Sequence, residues 1–452
     1  MARKLFGTDG IRGRANIYPM TGEVAFSLGR AVTSYFQQSN TGRKPLIIIG
    51  KDTRLSCYML EQAFSAGVCS QGGLAILTGP LPTPGVAFVT QSMRADAGVM
   101  ISASHNPYHD NGIKIFDRHG FKLPDEVELK LENMILNSEV IPKKLDEDLG
   151  RAQRLDEVVG RYIVKVKSSV PETFSLEGMR LVVDSANGAA YKVAPLTLSE
   201  LGAEVISLGN APNGKNINEK VGALYPEFCS EKVRLYRADM GICLDGDADR
   251  LVVVDDQGEV VPGDKLFGVL AKYLKDTKQL GESNQVVGTV MTNFGLEKFL
   301  SKEGIELSRT QVGDRYIVEE MRKSGSVFGG EPSGHLVFKS YATTGDGILA
   351  ALKIIECLKF YKKSLSELIS EVELYPQLIQ NIKIKAKKPL ETLDKVQAAI
   401  KVANTKLNDK GRVLIRYSGT ENLARVMVEG EDSKLVETCC SELSAVVTKE
   451  LN

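Results

Sequence analysis

The chain of 452 residues carries no net charge, because 57 lysines and arginines balance 57 aspartates and glutamates. No global field attracts nucleic acid or an anionic membrane, so any phosphate binding must be local. No apolar run approaches the roughly 20 residues that span a bilayer, and the first residues turn polar where a signal peptide has its apolar core. These absences predict a cytoplasmic protein that binds neither nucleic acid nor membrane.

Cysteine gives no pairing signal either. The seven cysteines are an odd number scattered from Cys57 to Cys440, and they form neither a CxxC pair nor a disulfide framework. Cys439 and Cys440 lie in a helical pattern, where we interpret them as buried structural side chains.

The length and the 43% hydrophobic content suffice for roughly three domains of about 150 residues. Short β-branched runs at residues 46–52, 181–185 and 286–290 alternate with helical patterns, which indicates repeated α/β units. After Tyr375 the pattern becomes strand, helix, strand, strand, helix, at residues 378–384, 390–407, 412–416, 424–428 and 433–451. We predict three related α/β domains with mixed sheets, residues 1–160, 161–257 and 258–372, and a smaller α+β domain, residues 373–452.

Ser104 is the first candidate for chemistry. It follows an apolar run, residues 97–101, which reads as a buried strand, and the polar stretch through Pro107 ends that strand. Loops at strand ends are where open α/β sheets usually hold their active sites.

Three aspartates form the second candidate. Asp245, Asp247 and Asp249 alternate with Gly246 and Ala248, so in an extended segment they point to one side and converge. Three carboxylates repel one another without a cation, and oxygen ligands suit Mg²⁺. An EF-hand loop is excluded because it needs glycine at position six and glutamate at twelve. An acidic solvated turn stays open.

Two further loops offer polar side chains. Arg416, Ser418, Gly419, Thr420 and Arg425 lie between two strands and resemble a phosphate clamp, although a Ser-Gly-Thr hairpin turn stays open. Glu331, Ser333 and His335 lie in a glycine-rich loop that suits sugar hydroxyls, and a plain turn stays open there as well.

Taken in order, residues 6–13, 104–107, 245–250, 331–335 and 416–421 resemble the motifs of the α-D-phosphohexomutase superfamily along essentially the whole chain. Residues 79–84, 212–218 and 426–430 look like its bacterial glucosamine-phosphate branch. The resemblance implies four domains around a central cleft. It also implies an isomerase, an intramolecular phosphotransferase that interconverts glucosamine 6-phosphate and glucosamine 1-phosphate towards UDP-N-acetylglucosamine and cell-wall precursors.

The same resemblance implies residue roles. Phosphorylated Ser104 exchanges its phosphoryl group with the sugar through bound glucosamine 1,6-bisphosphate, and Mg²⁺ lies on Asp245, Asp247, Asp249 and a phosphoserine oxygen. Lys114, Arg12 and His335 are the general acid and base candidates. Lys114 is favoured, and in that role it needs a pKa lowered by burial or by Arg12. Glu331 and Ser333 hold sugar hydroxyls, while Arg416, Ser418, Gly419, Thr420 and Arg425 bind the phosphate that does not react. A homodimer is also expected.

The chain departs from the family pattern at Pro332, Tyr417 and Asn422, which puts loop stiffness and sugar preference in doubt. Three alternatives stay open. They are a phosphomannomutase or phosphoglucomutase, a metal-dependent phosphatase in which water accepts the phosphoryl group, and a non-catalytic sugar-phosphate sensor.

Overall fold

Four sheets organise the chain. The computed structural model describes residues 4–7, 9–39, 42–137, 141–142, 144–417 and 422–452. Within these ranges the sheets have seven, five, four and three strands. The predicted fold class is confirmed: three mixed α/β sheets precede a smaller antiparallel one. The boundaries proposed between the domains stay predictions.

The first sheet has the order β1-β2-β6-β5-β3-β4-β7. Its strands are β1 Phe6–Gly7, β2 Gly10–Arg14, β3 Leu46–Lys51, β4 Leu74–Pro80, β5 Ala97–Ile101, β6 Asp110–Asp117 and β7 Arg151–Arg154. The helices of this part are α1 Gly22–Ser39, α2 Ser56–Ser70, α3 Thr83–Ser92 and α4 Asp125–Leu136, followed by a 3₁₀ turn at Asp146–Asp148.

The second sheet has the order β12-β11-β10-β8-β9. Its strands are β8 Arg180–Asp184, β9 Glu204–Leu208, β10 Met240–Leu244, β11 Leu251–Val254 and β12 Val260–Val261. The helices are α5 Val158–Lys167, α6 Val193–Glu200 and α7 Glu227–Tyr236, with a 3₁₀ turn at Gly222–Leu224.

The third sheet has the order β14-β13-β15-β16. Its strands are β13 Gln285–Thr289, β14 Glu306–Thr310, β15 Phe328–Gly330 and β16 Leu336–Phe338. The helices are α8 Gly263–Asp276, α9 Phe294–Lys302, α10 Asp314–Ser324, α11 Gly347–Tyr361 and α12 Leu365–Ile369.

These three sheets repeat one unit, as the β-branched runs predicted. In each sheet a central strand, β3, β8 or β13, has a parallel neighbour on both sides. One of those neighbours, β5, β10 or β15, then pairs with an antiparallel fourth strand. The Ser104 loop, the aspartate loop and the Glu331 loop each connect that neighbour to the fourth strand. All three candidate loops therefore occupy the same topological position.

The C-terminal part has its own sheet, ordered β17-β19-β18. Its elements are β17 Gln377–Lys383, α13 Asp394–Leu407, β18 Gly411–Tyr417, β19 Leu423–Gly430 and α14 Ser433–Leu451. One prediction is wrong in detail: the helix expected from residue 390 begins at Asp394. Leu390–Thr392 instead forms a 3₁₀ turn, and Leu393 has non-helical angles, φ −97° and ψ 87°.

The buried apolar side chains of the C-terminal domain form a cluster separate from that of the first three sheets. One cluster runs from Ile48 to Val372 and crosses the first three sheets. Another, from Ile382 to Leu451, includes Cys439 and Cys440 and fills the C-terminal domain alone. The last domain thus has an independent core.

Polar contacts connect the C-terminal domain to the third sheet. The Asn293 amide donates to the carbonyl of Tyr375 at 3.0 Å, and its oxygen accepts from the Tyr375 N–H at 3.0 Å. Arg412 of β18 donates to the carbonyls of Val290 and Thr292, each at 2.8 Å. These contacts lie beside residue 373, the predicted boundary between the third and fourth domains.

A buried carboxylate connects α5 to α11. Asp346 caps α11 by accepting from the N–H groups of Ile348 and Leu349, and it accepts the hydroxyl of Tyr162 at 2.7 Å. Burial outweighs these hydrogen bonds and raises the pKa of Asp346 to about 6.

Among the helices of the described ranges, none has the length and apolar character for crossing a membrane.

Candidate active site

Ser104 lies on a tight turn directly beyond β5. Its φ is +53°, in the left-handed region, and the residue is buried. The Ser102 hydroxyl accepts from the Ser104 N–H at 2.9 Å. The Ser104 carbonyl accepts from Arg54 at 3.1 Å and from the Asn218 amide at 2.9 Å. Groups from the first two sheets therefore fix this turn and direct the hydroxyl.

The three aspartates follow β10 and lie against that hydroxyl. They are buried, and one oxygen from each lies within 4.8 Å of the others. The Ser104 hydroxyl donates to Asp245 at 2.5 Å. The convergence was predicted, but the extended geometry was wrong, because the loop turns at Ala248, whose φ is +57°.

Gly246 lets the two loops approach each other. A Cβ at this position would lie 2.5 Å from the Ser104 carbonyl oxygen and 3.0 Å from the Asn218 amide. The aspartate loop can therefore contact the serine turn only without a side chain here. This explains the glycine between Asp245 and Asp247.

The aspartate cluster fits a divalent cation. Burial, followed by the charges of Asp247 and Asp249, raises the pKa of Asp245 to about 8. Asp247 Oδ1 and Asp249 Oδ1 are buried and lack a hydrogen-bond partner among the described residues. The free oxygens and the mutual repulsion both suit an oxygen-ligated ion such as Mg²⁺. The solvated-turn alternative is inconsistent with their burial.

Lys114 of β6 lies at the centre of the charges. Its Nζ is 2.9 Å from Asp247, 3.3 Å from Asp249 and 3.4 Å from Asp9. Burial lowers the pKa of Lys114, but these three carboxylates outweigh burial and Arg12 and hold the pKa well above its ordinary value. The lowered pKa that a general acid or base role for Lys114 needs is therefore not provided by burial and Arg12 against these carboxylates.

Arg12 and His335 border the same group. Arg12 Nη2 lies 2.5 Å from Asp9. The Gly345 N–H donates to His335 Nε2 at 3.0 Å, while Nδ1 lies 3.7 Å from Asp249 Oδ1. Burial lowers the pKa of His335, but the Asp314 and Asp249 carboxylates outweigh it and raise the pKa. A neutral His335 thus carries its proton on Nδ1, towards the metal-binding candidates.

His105 contacts the hydroxyl of its neighbour. Its Nδ1 lies 3.3 Å from Ser104 Oγ and 3.1 Å from Arg250 Nη1. Burial and then the Arg250 charge lower its pKa to about 4. A neutral imidazole beside the serine is consistent with orienting the loop.

Glu331 and Ser333 lie in the loop after β15. Glu331 Oε1 accepts from the Gly313 N–H at 2.9 Å, and Oε2 accepts from the Ser333 hydroxyl at 3.3 Å. Glu331 is buried at the edge of the cleft, whereas Ser333 is exposed. Both side chains can therefore reorient their hydrogen bonds towards a bound polyol.

The first three sheets enclose a cleft of about 600 Å³. It brings together Arg12, Ser104, Asp249, Glu331 and His335 from the predicted set. The sequence prediction assigned no catalytic or binding role to five other charged side chains that line it, namely Lys4, Asp9, Lys122, Arg250 and Asp314. Asp9 and Arg250 lie inside quoted motifs, a signal that was available, whereas Lys122 and Asp314 lie outside them.

Arg416 and Arg425 are not part of this cleft. They are opposite each other across β18 and β19 and line a separate pocket of about 290 Å³ with Met291. Burial and then the Arg425 charge lower the pKa of Arg416, and Arg425 Nε is buried without a hydrogen-bond partner among the described residues. Two adjacent guanidiniums favour an anion between them. The predicted residues Ser418, Gly419 and Thr420 lie outside the described residues.

Four parts of the chain match phosphohexomutase domain descriptions, in the order of the sheets. They are "Phosphoglucomutase/phosphomannomutase, alpha/beta/alpha domain I" at residues 3–140, domain II at 160–258, domain III at 262–375 and "C-terminal domain" at 380–446. Among curated relatives, phosphoglucosamine mutase of Lawsonia intracellularis is 50% identical over 452 residues, 100% of both chains. That of Nitratidesulfovibrio vulgaris strain DP4 is 51% identical over the same span, 100% of both chains.

Solved structures share the fold at lower identity. A phosphoglucomutase/phosphomannomutase family protein from Burkholderia thailandensis superimposes with a TM-score of 0.83 at 22% identity, covering 98% of this chain and 97% of the other. N-acetylphosphoglucosamine mutase of Aspergillus fumigatus, in complex with GlcNAc-6P and magnesium, gives 0.69 at 17% identity, covering 99% and 96%. At such identities the likeness concerns the fold alone.

Proposed function

Because this chain belongs to the phosphoglucosamine mutase family, we propose that it interconverts glucosamine 6-phosphate and glucosamine 1-phosphate with Ser104 as the phosphoryl carrier. The observation that carries the role of Ser104 is its buried hydroxyl, fixed on a left-handed turn and bonded to Asp245. We infer that the protein acts in the cytoplasm, as a homodimer, and supplies glucosamine 1-phosphate for UDP-N-acetylglucosamine and cell-wall precursors.

The reaction consists of two transfers. In the first, the sugar O1 attacks the phosphorus of phosphorylated Ser104, so the O1–P bond forms, the Oγ–P bond breaks, and the proton of O1 is passed on to Ser104 Oγ. The sugar, now glucosamine 1,6-bisphosphate, turns over in the cleft. Ser104 Oγ then attacks the 6-phosphoryl group, so the Oγ–P bond forms, the O6–P bond breaks, and the proton of Oγ is passed on to O6. This restores the phosphoserine and releases glucosamine 1-phosphate. Small amounts of the bisphosphate also prime the enzyme.

The aspartate cluster supplies the site for a cation. Asp245, Asp247 and Asp249 would hold Mg²⁺ together with an oxygen of phosphorylated Ser104, and when bound the ion neutralises charge on the transferring group. Thr83 orients this cluster, because its hydroxyl donates to Asp247 at 2.7 Å.

Proton transfer falls to Lys114, Arg12 and His335. Lys114 is held as an ammonium by its carboxylates, so we infer that it enters the cycle as a proton donor, with Arg12 and His335 as the other candidates. Glu331 and Ser333 hold the sugar hydroxyls in both orientations. The whole group works by positioning and by stabilising charge, which is what phosphoryl transfer needs.

The distal phosphate requires the C-terminal domain. Arg416 and Arg425, with Ser418, Gly419 and Thr420, would bind the phosphate that is not reacting. Since the two arginines line a pocket separate from the Ser104 cleft, we infer that the domain closes over the sugar about a hinge near residue 373. Closure excludes water that would hydrolyse phosphoserine.

The test is turnover of glucosamine 6-phosphate to glucosamine 1-phosphate with Mg²⁺ and a trace of sugar 1,6-bisphosphate, beside glucose and mannose 6-phosphates. We expect a preference for glucosamine that is lost in Ser104→Ala and after chelation of the metal. A preference for glucose or mannose would identify a different mutase, and release of inorganic phosphate as the main product would identify a phosphatase. Full activity in Ser104→Ala would overturn the phosphoserine mechanism.

A further inference from the structure

A row of alternating charges crosses the cleft from Asp9 to Asp314. Lys122 lies between these two carboxylates, paired with Asp9 and 2.6 Å from Asp314 Oδ2. Asp9 also pairs with Arg12, and lies 3.4 Å from Lys114. Three cations therefore surround the Asp9 carboxylate, while Asp314 shares one of them.

Asp314 is the first residue of α10 and lines the cleft with 14% of its side chain exposed. Its Oδ1 accepts from the Arg315 N–H at 2.9 Å, and its Oδ2 lies 3.4 Å from His335 Nε2. The Arg315 guanidinium points elsewhere, to Asp125 and Glu128. Asp314 is thus a cleft carboxylate whose charge is matched, among the described side chains, by the ammonium of Lys122, which it shares with Asp9.

The other carboxylates that line the cleft are occupied. Asp249 belongs to the proposed metal site and pairs with Lys114. Glu331 accepts from the Gly313 N–H and the Ser333 hydroxyl, and in the proposed function it binds the sugar hydroxyls. Asp9 has its three cations. Asp314 is therefore the carboxylate best placed to accept an additional positive charge.

The substrate of the proposed function brings such a charge. Glucosamine phosphates carry an ammonium group at C2, where glucose and mannose phosphates carry a hydroxyl. We propose that Asp314 binds this ammonium and so determines the preference for the amino sugar, an assignment that rests on the proposed function. When the ammonium arrives, Lys122 keeps Asp9 as its partner, and each carboxylate then has a cation of its own. A neutral C2 hydroxyl leaves Asp314 with Lys122 alone.

The experiment compares kcat/KM for glucosamine 6-phosphate and glucose 6-phosphate in the unchanged protein and in Asp314→Asn, which keeps the shape and removes the charge. We expect the value for glucosamine 6-phosphate to fall by about 10- to 100-fold, the range for one charge-assisted hydrogen bond. The value for glucose 6-phosphate should change by less than about threefold. Asp314→Glu, which keeps the charge, should retain most of the preference.

Glu331→Gln is the matched control, because its partners are hydroxyls that both sugars share, and both values should fall together. An equal fall for both sugars in Asp314→Asn would mean that Asp314 only positions Lys122 and His335, and would overturn the assignment. If turnover of both sugars is lost, calorimetric affinities in a Ser104→Ala background decide. There the glucosamine-to-glucose affinity ratio should fall with Asp314→Asn, and an unchanged ratio would overturn the assignment. A preference for glucose 6-phosphate in the unchanged protein would overturn the proposed function as well.

Discussion

Asn218 gives the sharpest test of how the serine turn is held. Its amide donates to the carbonyl of Ser104 at 2.9 Å and to that of Asn106 at 3.0 Å, across the boundary between the first two sheets. Its own backbone is left-handed, with a φ of +58°. Asn218→Gly therefore removes two hydrogen bonds and leaves a backbone conformation that glycine adopts without strain.

The loss of stability in Asn218→Gly depends on the hydrogen bonds that the two carbonyls keep. Both carbonyls keep a hydrogen bond from Arg54, so neither becomes an unsatisfied buried acceptor. The loss is then that of two ordinary hydrogen bonds, and we expect the free energy of unfolding to fall by about 1–3 kcal/mol. Turnover should fall by about 10- to 100-fold, since a displaced Ser104 no longer aligns with Asp245 and the sugar.

The assay pairs urea denaturation with mutase turnover at saturating glucosamine 6-phosphate. Asn284→Gly is the matched control, because Asn284 has a left-handed φ of +44° and is exposed, outside the cleft. Asn284→Gly should leave turnover unchanged, and its free energy of unfolding should change only by the backbone effect of glycine. Unchanged turnover in Asn218→Gly, at reduced stability, would refute the argument that this amide positions the nucleophile.

Three other predictions concern the phosphate pocket, a buried acid and the hinge. Arg416→Ala should raise KM for glucosamine 6-phosphate by about tenfold or more, the loss of one charge-assisted contact, and an unchanged KM would exclude the phosphate role. Burial raises the pKa of Asp346 to about 6 in the folded protein, above its value in the unfolded chain. The proton on Asp346 therefore stabilises the fold fully below about pH 4, and this contribution is lost as the pH rises through about 6. Asp346→Asn removes this dependence. The free energy of unfolding of the variant, measured with urea, should therefore rise by about 2–3 kcal/mol relative to that of the unchanged protein between pH 4 and pH 7. A constant difference would show that Asp346 does not titrate there. X-ray scattering should show a smaller radius of gyration with bound sugar phosphate as the domain closes near residue 373, and superimposable profiles would contradict closure.

Local sequence patterns were sufficient to predict the strands and the site residues whose loop directly follows a predicted strand. The runs at residues 46–52, 181–185 and 286–290 predicted the repeated unit, because β-branched runs between helices have few other structures available. Ser104 and the three aspartates stood out because each closely follows such a strand. The repeat also explains why their loops share one topological position.

Contacts between distant parts of the chain were not predictable in this way. Lys122 and Asp314 lie 192 positions apart in sequence, and Asn218 and Ser104 lie 114 apart. Neither pair can be recognised from the residues that adjoin its members in sequence. The raised pKa of Lys114 was not predictable for the same reason, since it depends on carboxylates from two other segments. The extended geometry of the aspartate loop was wrong because alternation alone does not reveal a left-handed Ala248.

The left-handed turn at Ser104 also limits which nucleophile this position can hold. Threonine offers the same hydroxyl chemistry, but a β-branched residue at positive φ is a steric outlier. Elsewhere a serine and a threonine are exchanged by a single nucleotide change at little structural cost. Here the backbone, rather than the reaction, forbids the exchange. A random mutation that would be chemically silent thus becomes inactivating, and a designer who wants another carrier group must first rebuild the turn.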